Sequence, residues 1–190
     1  MNNLESSTRW TTRPAPSWSN PQKQWLMRPG ALTGALRELG VLELHVLAEY
    51  PEGASANESQ RLNIRPGTPV WVREIVMSLE GIQCVAARSL TTLQASHGTW
   101  QGIRRLRSRP LADILYNNVA ITRSNFEVAR VHRQSELYRT VLLANARLTS
   151  HPATTNLLAR RSVFWRQGYP LLVAECFLPD FWRLVQKPTA

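Results

Sequence analysis

The sequence predicts an α+β domain built on a single antiparallel β-sheet with helices on it. Residues 70–90 and 160–178 each form two apolar arms around a short polar turn, which is the pattern of a β-hairpin. Residues 41–50 and 119–131 alternate well enough to add two further strands, and helical patterns lie between these segments. Antiparallel hairpins with interspersed helices are typical of this fold class.

The chain has 190 residues, of which 43% are hydrophobic, and this suits one globular domain. Residues 1–22 are rich in Ser, Thr, Asn and Pro without periodicity, so they predict a flexible N-terminal tail before a domain over 23–190. No run approaches the roughly 18 apolar residues of a membrane span. The N-terminus has no apolar segment typical of a secretory signal, which predicts a cytoplasmic protein.

Several shorter elements can be placed along the chain. A helical pattern over 24–40 ends at a glycine, residues 51–59 have a loop composition, and a basic helix is predicted from about residue 102. A proline at position 110 starts another helix. Apolar residues at helical spacing predict a further helix over 135–148.

The two cysteines, Cys84 and Cys176, both fall in predicted strands, and neither lies in a CxxC motif. We expect buried thiols and no disulfide. The four histidines show no metal-ligand spacing. The sequence therefore predicts no structural or catalytic zinc site.

The formal net charge is +10 and comes almost wholly from arginine. Such a charge can favour nucleic acid or acidic small molecules, because the guanidinium group suits phosphate and carboxylate alike. The densest run, GIRRLRSRP at 102–110, could hold phosphates or form a solvated helix face. No known nucleic-acid motif accompanies the charge, so we expect no stable nucleic-acid partner.

In the first hairpin, a two-residue turn at Glu80 and Gly81 would place Arg73 opposite Arg88 on an apolar face. Like charges that face each other are destabilising, so this arrangement predicts an anion beside them, from the protein or from a ligand. The alternative is that both side chains extend to water at the open end of the hairpin.

In the second hairpin, a turn at Gln167 and Gly168 places Glu175 opposite Arg160. Glu175 is the single carboxylate of the segment LLVAECFL, so it needs a polar partner. One interpretation is a cross-strand ion pair with Arg160. The other is that Glu175 faces a polar ligand in the same cavity as Arg73.

Four segments of the chain resemble the motifs of one bacterial protein family. The stretch WVREIVMSLEGIQCVAARSLTTL resembles the family's WLREI…DG…AGRTVVP, and RPLADILYNNVAITRSNFEV resembles TPLGRYLF…LTRDFIEI. The stretch ARRSVFWRQGYPLLVAECFLP resembles GRRSRL…G-KPLLLTELFLP, and QWLMRPGALTGALRELG resembles WLL…SMT…F. The matches cover roughly residues 24–179 in the family's order, and the family they resemble is that of the chorismate pyruvate-lyases (chorismate lyases).

The resemblance implies a chorismate lyase-like fold with an enclosed site under helical flaps. It implies cleavage of chorismate into 4-hydroxybenzoate and pyruvate in ubiquinone biosynthesis, without cofactor or metal. The implied partners are the substrate chorismate and the product 4-hydroxybenzoate. Separately, we expect a monomer with no membrane span. The chemistry agrees with the residues, because chorismate carries two carboxylates and bidentate arginine both binds and orients such groups.

Carried over by motif, Arg73 is implied as the arginine that binds a carboxylate and Glu175 as the acidic residue near the ring hydroxyl. These two are the predicted catalytic residues. Leu32 and Leu111 are implied to contact substrate through their backbone, and Arg88 is implied as a second substrate-binding arginine.

The chain departs from the family pattern at three places. Ala87 replaces a glycine, which adds a methyl group near the site, and Leu32 replaces a frequent methionine. Residues 129–157 are longer than in the shortest members. A competing interpretation is a small-molecule sensor domain with the same fold from a transcription regulator, although residues 1–23 are too few for the winged helix that precedes such a domain.

Overall fold

The computed structural model describes residues 8–116, 118–146 and 157–186, and one seven-stranded antiparallel sheet forms its centre. This confirms the predicted α+β class. The strands are β1 (Leu42–Gly53), β2 (Pro69–Leu79), β3 (Ile82–Thr92), β4 (Thr122–Arg123), β5 (Glu127–Arg130), β6 (Leu158–Arg166) and β7 (Tyr169–Phe177). Their order is β1-β2-β3-β7-β6-β4, and β5 also pairs with β6.

Seven short helices and one 3-10 turn, Gln101–Arg105, accompany the sheet in the described part of the chain. The helices are α1 (Asn20–Met27), α2 (Leu32–Arg37), α3 (Ala56–Leu62), α4 (Leu93–His97), α5 (Ala112–Leu115), α6 (Glu136–Asn145) and α7 (Pro179–Gln186). Across the described ranges, none of them has the length and apolar composition to cross a bilayer.

Side chains alternate along each strand, so each face of the sheet has its own core. On one face, α1, α2 and α7 pack over the β2–β3 hairpin and β7, where Phe177 and Phe181 have ring centres 5.0 Å apart. On the other face, α6 packs over Val76, Ala86 and Cys176. The two faces are therefore covered by different helices.

The N-terminal region differs from its prediction in two ways. The helix predicted over 24–40 is two helices, α1 and α2, because Pro29 lacks an N–H and Gly30 adopts a left-handed φ of +80°. The segment predicted as a tail also contacts the domain: Trp18 is buried, Thr11 forms a β-bridge with Val128, and α1 begins at Asn20. Residues 1–7 lie outside the described residues.

The predicted loop over 51–59 contains structure. Strand β1 continues to Gly53, and α3 begins after Ser55. The Ser55 hydroxyl accepts from the Glu58 N–H, and the Glu58 carboxylate accepts from the Ser55 N–H, which is a capping box. This Ser-x-x-Glu spacing was the available signal for α3.

The register of the first hairpin differs from the prediction. Glu80 and Gly81 form the turn, with φ of 49° and 76°, but the pairing shifts by one residue between Met77 and Ser78. This β-bulge places Arg73 opposite Ser89 and Arg88 opposite Glu74. The predicted pairing of Arg73 with Arg88 is therefore wrong, because a one-residue shift moves a side chain to the other face.

The second hairpin has the predicted register. Gln167 and Gly168 form the turn, and the ladder from Arg166 to Leu158 is regular, so Arg160 lies opposite Glu175. The thiols of Cys84 and Cys176 are buried and free, as predicted, and burial raises the pKa of Cys84 to about 11.

The segment between the two hairpins contains shorter elements than predicted. The strand expected over 119–131 is divided into β4 and β5, which pair with different parts of β6. Helix α6 confirms the core of the helix predicted over 135–148. Part of the longer segment 129–157, residues 147–156, lies outside the described residues.

Candidate active site

A cavity with about 630 Å³ of space free of protein atoms lies on one face of the sheet. Residues of β2, β3, β7 and β6 form its floor. The start of α2 and the residues around α5 form its cover, and Phe126 closes one side. The lining residues are mostly apolar, with a few charged side chains among them.

Arg73 projects from β2 into this cavity, and its side chain is 2% exposed. Its Nη1 donates to Glu49 Oε1 at 3.2 Å, and its Nη2 donates to the carbonyl oxygens of Arg107 at 2.7 Å and Arg109 at 3.2 Å. Burial lowers the pKa of Arg73, and Glu49 opposes this change. The contacts fix the guanidinium plane, and none of the hydrogen bonds among the described residues uses its Nε.

Glu175 projects from β7 into the same cavity. Its Oε2 accepts a hydrogen bond from Arg160 Nε at 2.6 Å, and Arg160 Nη1 donates to the carbonyl oxygens of Trp25 and Arg28 at 3.4 and 2.9 Å. The structure therefore combines both interpretations of Glu175: it pairs with Arg160 and also lines the cavity with Arg73. Only Oε2 is engaged in the described hydrogen bonds.

Arg73 and Glu175 lie on strands separated by β3. Because neighbouring strands are about 4.8 Å apart, these two strands are about 10 Å apart. Ala87 of β3 lies opposite Glu175 and lines the cavity between the two side chains. The spacing leaves room for a ring, and the Ala87 methyl group forms part of the floor beneath it.

The two covering segments meet above the floor. Leu32 is the first residue of α2 and Leu111 precedes α5, and both line the cavity. The Tyr116 hydroxyl at the end of α5 donates to the Gly30 carbonyl oxygen at 2.9 Å. This hydrogen bond joins the segment before α2 to the segment after α5.

Arg88, the second arginine of the first hairpin, does not reach the cavity. It lies on the opposite face, 1% exposed, where Nε donates to Glu58 Oε1 at 2.7 Å, Nη1 donates to Glu74 Oε1 at 3.1 Å, and Nη2 pairs with Glu52. Burial lowers the pKa of Arg88, but Glu58 and Glu52 raise it by more. The prediction that Arg88 contacts substrate is therefore corrected, since the protein supplies its anions.

Some residues of the cavity were not predicted from the sequence. Glu49 reaches Arg73 because a bulge between Val46 and Ala48 sets the face of β1, and Tyr116 and Phe126 come from irregular segments. Neither feature has a local sequence signal. Across the described ranges, no group of three or more His, Cys, Asp or Glu side chains is arranged to hold a metal ion.

Solved structures with a similar fold define the broad class first, an α+β domain with helices on one antiparallel sheet. The C-terminal domain of PhnF has a TM-score of 0.55 at 17% identity, covering 76% of this chain and 87% of that one. The effector domain of PhnF from Mycobacterium smegmatis has a TM-score of 0.54 at 16% identity, covering 80% and 90%. At these identities the likeness shows the fold alone.

Sequence relatives define the family. The model of the family "Chorismate lyase" matches residues 7–187. Proteins named "Probable chorismate pyruvate-lyase" from Bordetella avium and Bordetella pertussis are 55% and 52% identical over 177 residues, covering 93% of this chain and 86% and 92% of theirs. A relative from Pseudomonas fluorescens, "Probable chorismate pyruvate-lyase 1", is 39% identical over 98% of both chains. The chain belongs to the chorismate lyase family of carbon–oxygen lyases.

The position of Arg88 gives a prediction about stability. Arg88→Gln removes the cation that pairs with Glu58, Glu74 and Glu52 in a buried cluster. Breaking a buried pair leaves uncompensated charge, so the free energy of unfolding should fall by about 3–5 kcal/mol. Urea unfolding measures this change, and Arg65→Gln, at an exposed position, is the matched control.

The same variants test the corrected placement. The folded fraction of Arg88→Gln should keep its specific activity, and Arg88→Lys should recover part of the stability because it restores the charge. A stable Arg88→Gln protein with little activity would return Arg88 to the substrate site.

Proposed function

We propose that this protein is a chorismate pyruvate-lyase that converts chorismate into 4-hydroxybenzoate and pyruvate. The observation that carries the proposal is the placement of Arg73 and the Arg160–Glu175 pair in one small apolar cavity. Membership of the chorismate lyase family and the names of relatives with 52–55% identity support the same reaction.

Arg73 binds the ring carboxylate of chorismate in this proposal. Glu49 and the two loop carbonyls hold its guanidinium group in place, which reduces the entropy lost when a ligand binds. A charge-assisted hydrogen bond in a buried site is stronger than one in water. Arg73 therefore fixes the position of one end of the substrate.

Glu175 accepts a hydrogen bond from the ring hydroxyl through Oε1, while Arg160 holds Oε2. The carboxylate and the hydroxyl lie at opposite ends of the ring, so Arg73 and Glu175 together fix its position and direction. Backbone groups of Leu32 and Leu111 in the cover complete the proposed contacts. This arrangement acts by orientation and by exclusion of water.

The reaction breaks the ether bond between the ring and the enolpyruvyl group, and the ring hydrogen on the hydroxyl-bearing carbon is lost. In a concerted route that hydrogen moves to the enolpyruvyl methylene group, the electrons of its C–H bond form the aromatic ring, and the ether electrons form the pyruvate carbonyl. Aromatisation supplies much of the driving force, so no strong base is needed. In the stepwise alternative, Glu175 serves as acid or base.

We further propose that the reaction supplies 4-hydroxybenzoate for ubiquinone biosynthesis in the cytoplasm. The second candidate function, a non-catalytic sensor domain, is favoured by the likeness to the effector domain of PhnF. That likeness is at 16% identity, whereas the relatives that support the lyase are more than three times as similar. Turnover separates the two candidates.

The first functional prediction is turnover itself. The purified protein should release 4-hydroxybenzoate and pyruvate from chorismate in equal amounts, and a chelator should leave the rate unchanged. Chromatography of the aromatic product and a coupled pyruvate assay measure both products. Binding of chorismate without turnover would favour the sensor, and a 2-hydroxy- or 4-aminobenzoate product would exclude the proposed reaction.

Arg73→Lys tests the carboxylate contact. Lysine keeps the charge but loses the planar fork, and it cannot also satisfy Glu49 and two carbonyls. We expect kcat/KM to fall on the order of 10² to 10³, or about 2–4 kcal/mol of transition-state stabilisation. Steady-state kinetics and a melting curve check this, with Arg105→Lys on the exposed loop as control. Nearly intact turnover would remove Arg73 from the site.

Glu175→Gln tests whether the carboxylate serves the reaction or only pairs with Arg160. The glutamine carbonyl can still accept from Arg160 Nε, so the melting temperature should change little. We expect kcat to fall on the order of 10² or more through lost orientation of the ring hydroxyl. Glu38→Gln, which removes an exposed carboxylate, is the control. A variant that melts much lower yet keeps full activity in its folded fraction would show a purely structural role.

A further inference from the structure

Both arginines that line the cavity are already paired with carboxylates. Arg73 Nη1 is 3.2 Å from Glu49 Oε1, and Arg160 Nε is 2.6 Å from Glu175 Oε2. Each pair contributes no net formal charge, whereas chorismate carries two carboxylates. Placing a dianion in a buried apolar cavity is costly unless further positive charge is close. With Arg88 on the opposite face, the second carboxylate needs another partner.

Arg123 is an arginine with unused hydrogen-bonding capacity beside this cavity. Its Nη1 is buried and has no hydrogen-bond partner in the described part of the chain. None of the ion pairs between described residues includes Arg123, in contrast to Arg73, Arg160 and Arg161. A buried donor without a partner is destabilising, and a charged one more so.

The neighbours of Arg123 belong to the cavity wall. Its guanidinium lies over the Phe126 ring, 4.0 Å from the ring centre, and its backbone pairs with Phe164. Phe126, Phe164 and Tyr116 line the cavity. Burial raises the pKa of Tyr116, and Arg123 is the charge that opposes this most, so it lies close to the phenol oxygen. Arg123 therefore packs against the side of the cavity that Tyr116 and Phe126 form.

Arg123 also lies at the end of the cavity where the second carboxylate should be. Arg160 contacts the same Phe126 ring, at 4.4 Å, and it holds Glu175. In chorismate the enolpyruvyl ether is on the ring carbon next to the hydroxyl. A substrate whose hydroxyl meets Glu175 can therefore place its enolpyruvyl group on the Phe126 side, away from Arg73.

We propose that Arg123 binds the carboxylate of the enolpyruvyl group through Nη1, while Arg73 binds the ring carboxylate. This rests on the proposed function and adds a specificity-determining residue to it. The product 4-hydroxybenzoate keeps only the ring carboxylate, so Arg123 contributes to the binding of substrate but not of this product. The charge on Arg123 thereby lets one cavity favour chorismate over the aromatic acid that it forms.

The test compares chorismate with 4-hydroxybenzoate in Arg123→Gln. The KM for chorismate should rise and kcat/KM should fall, on the order of 10-fold to 10²-fold, because a charge-assisted hydrogen bond is lost. The Kd of 4-hydroxybenzoate, measured by calorimetry, should change by less than about twofold. Arg123→Lys should recover part of kcat/KM, and Arg133→Gln, at an exposed position, should change neither ligand.

Other outcomes would overturn the proposal. Equal weakening of both ligands would show that Arg123 only supports Phe126 and Tyr116, and unchanged kcat/KM for chorismate would show no role. If the unsubstituted protein binds chorismate without turnover, the proposed function fails, and calorimetry with chorismate in Arg123→Gln still decides the role of Arg123. If the unsubstituted protein does not bind chorismate, both proposals fail.

Discussion

Arg160 connects the floor of the cavity, its side wall and its cover. One guanidinium group holds Glu175 across the β6–β7 hairpin, contacts the Phe126 ring, and donates to carbonyl oxygens at the end of α1. Since the carbonyl oxygens at a helix C-terminus lack partners within the helix, the contact also completes α1. The orientation of the Glu175 carboxylate and the path of the chain from α1 toward α2 therefore both depend on the Arg160 side chain.

The buried arginines on the two faces of the sheet have different sets of partners. On the cavity face, Arg73 and Arg160 are each held by one carboxylate and by backbone carbonyls, and both remain beside open space. On the other face, Arg88 is enclosed by three glutamates, and Thr140 from α6 donates to Glu74 at 2.7 Å. Burying arginine requires such partners in both cases. In the first arrangement, Arg73 and Arg160 line the cavity together with Glu175.

The difference between the two hairpins shows what sequence could predict. The second has a regular ladder, so counting from the turn gave the Arg160–Glu175 pair correctly. The first has a bulge next to its turn, and counting put Arg88 on the wrong face. A bulge adds one unpaired residue to a strand, and the local sequence does not show where it lies. The break at Pro29 and Gly30 and the capping box of α3 were visible in the sequence, whereas the contacts of Glu49, Tyr116 and Arg123 depend on segments distant in sequence.

The contact between Arg73 and the loop at 107–109 affects how this surface can change in evolution. Arg73 donates hydrogen bonds to two backbone carbonyl oxygens, which every amino acid provides. The side chains of Arg105, Arg107 and Arg109 are exposed. Substitutions there can alter the charge of the surface without changing the groups that hold Arg73. The path of the backbone is less free, since position 107 has a φ of +50° and favours Gly, Asn or Asp among replacements. Many of the arginines in this loop can therefore be replaced during evolution while the cavity beneath the loop keeps its shape.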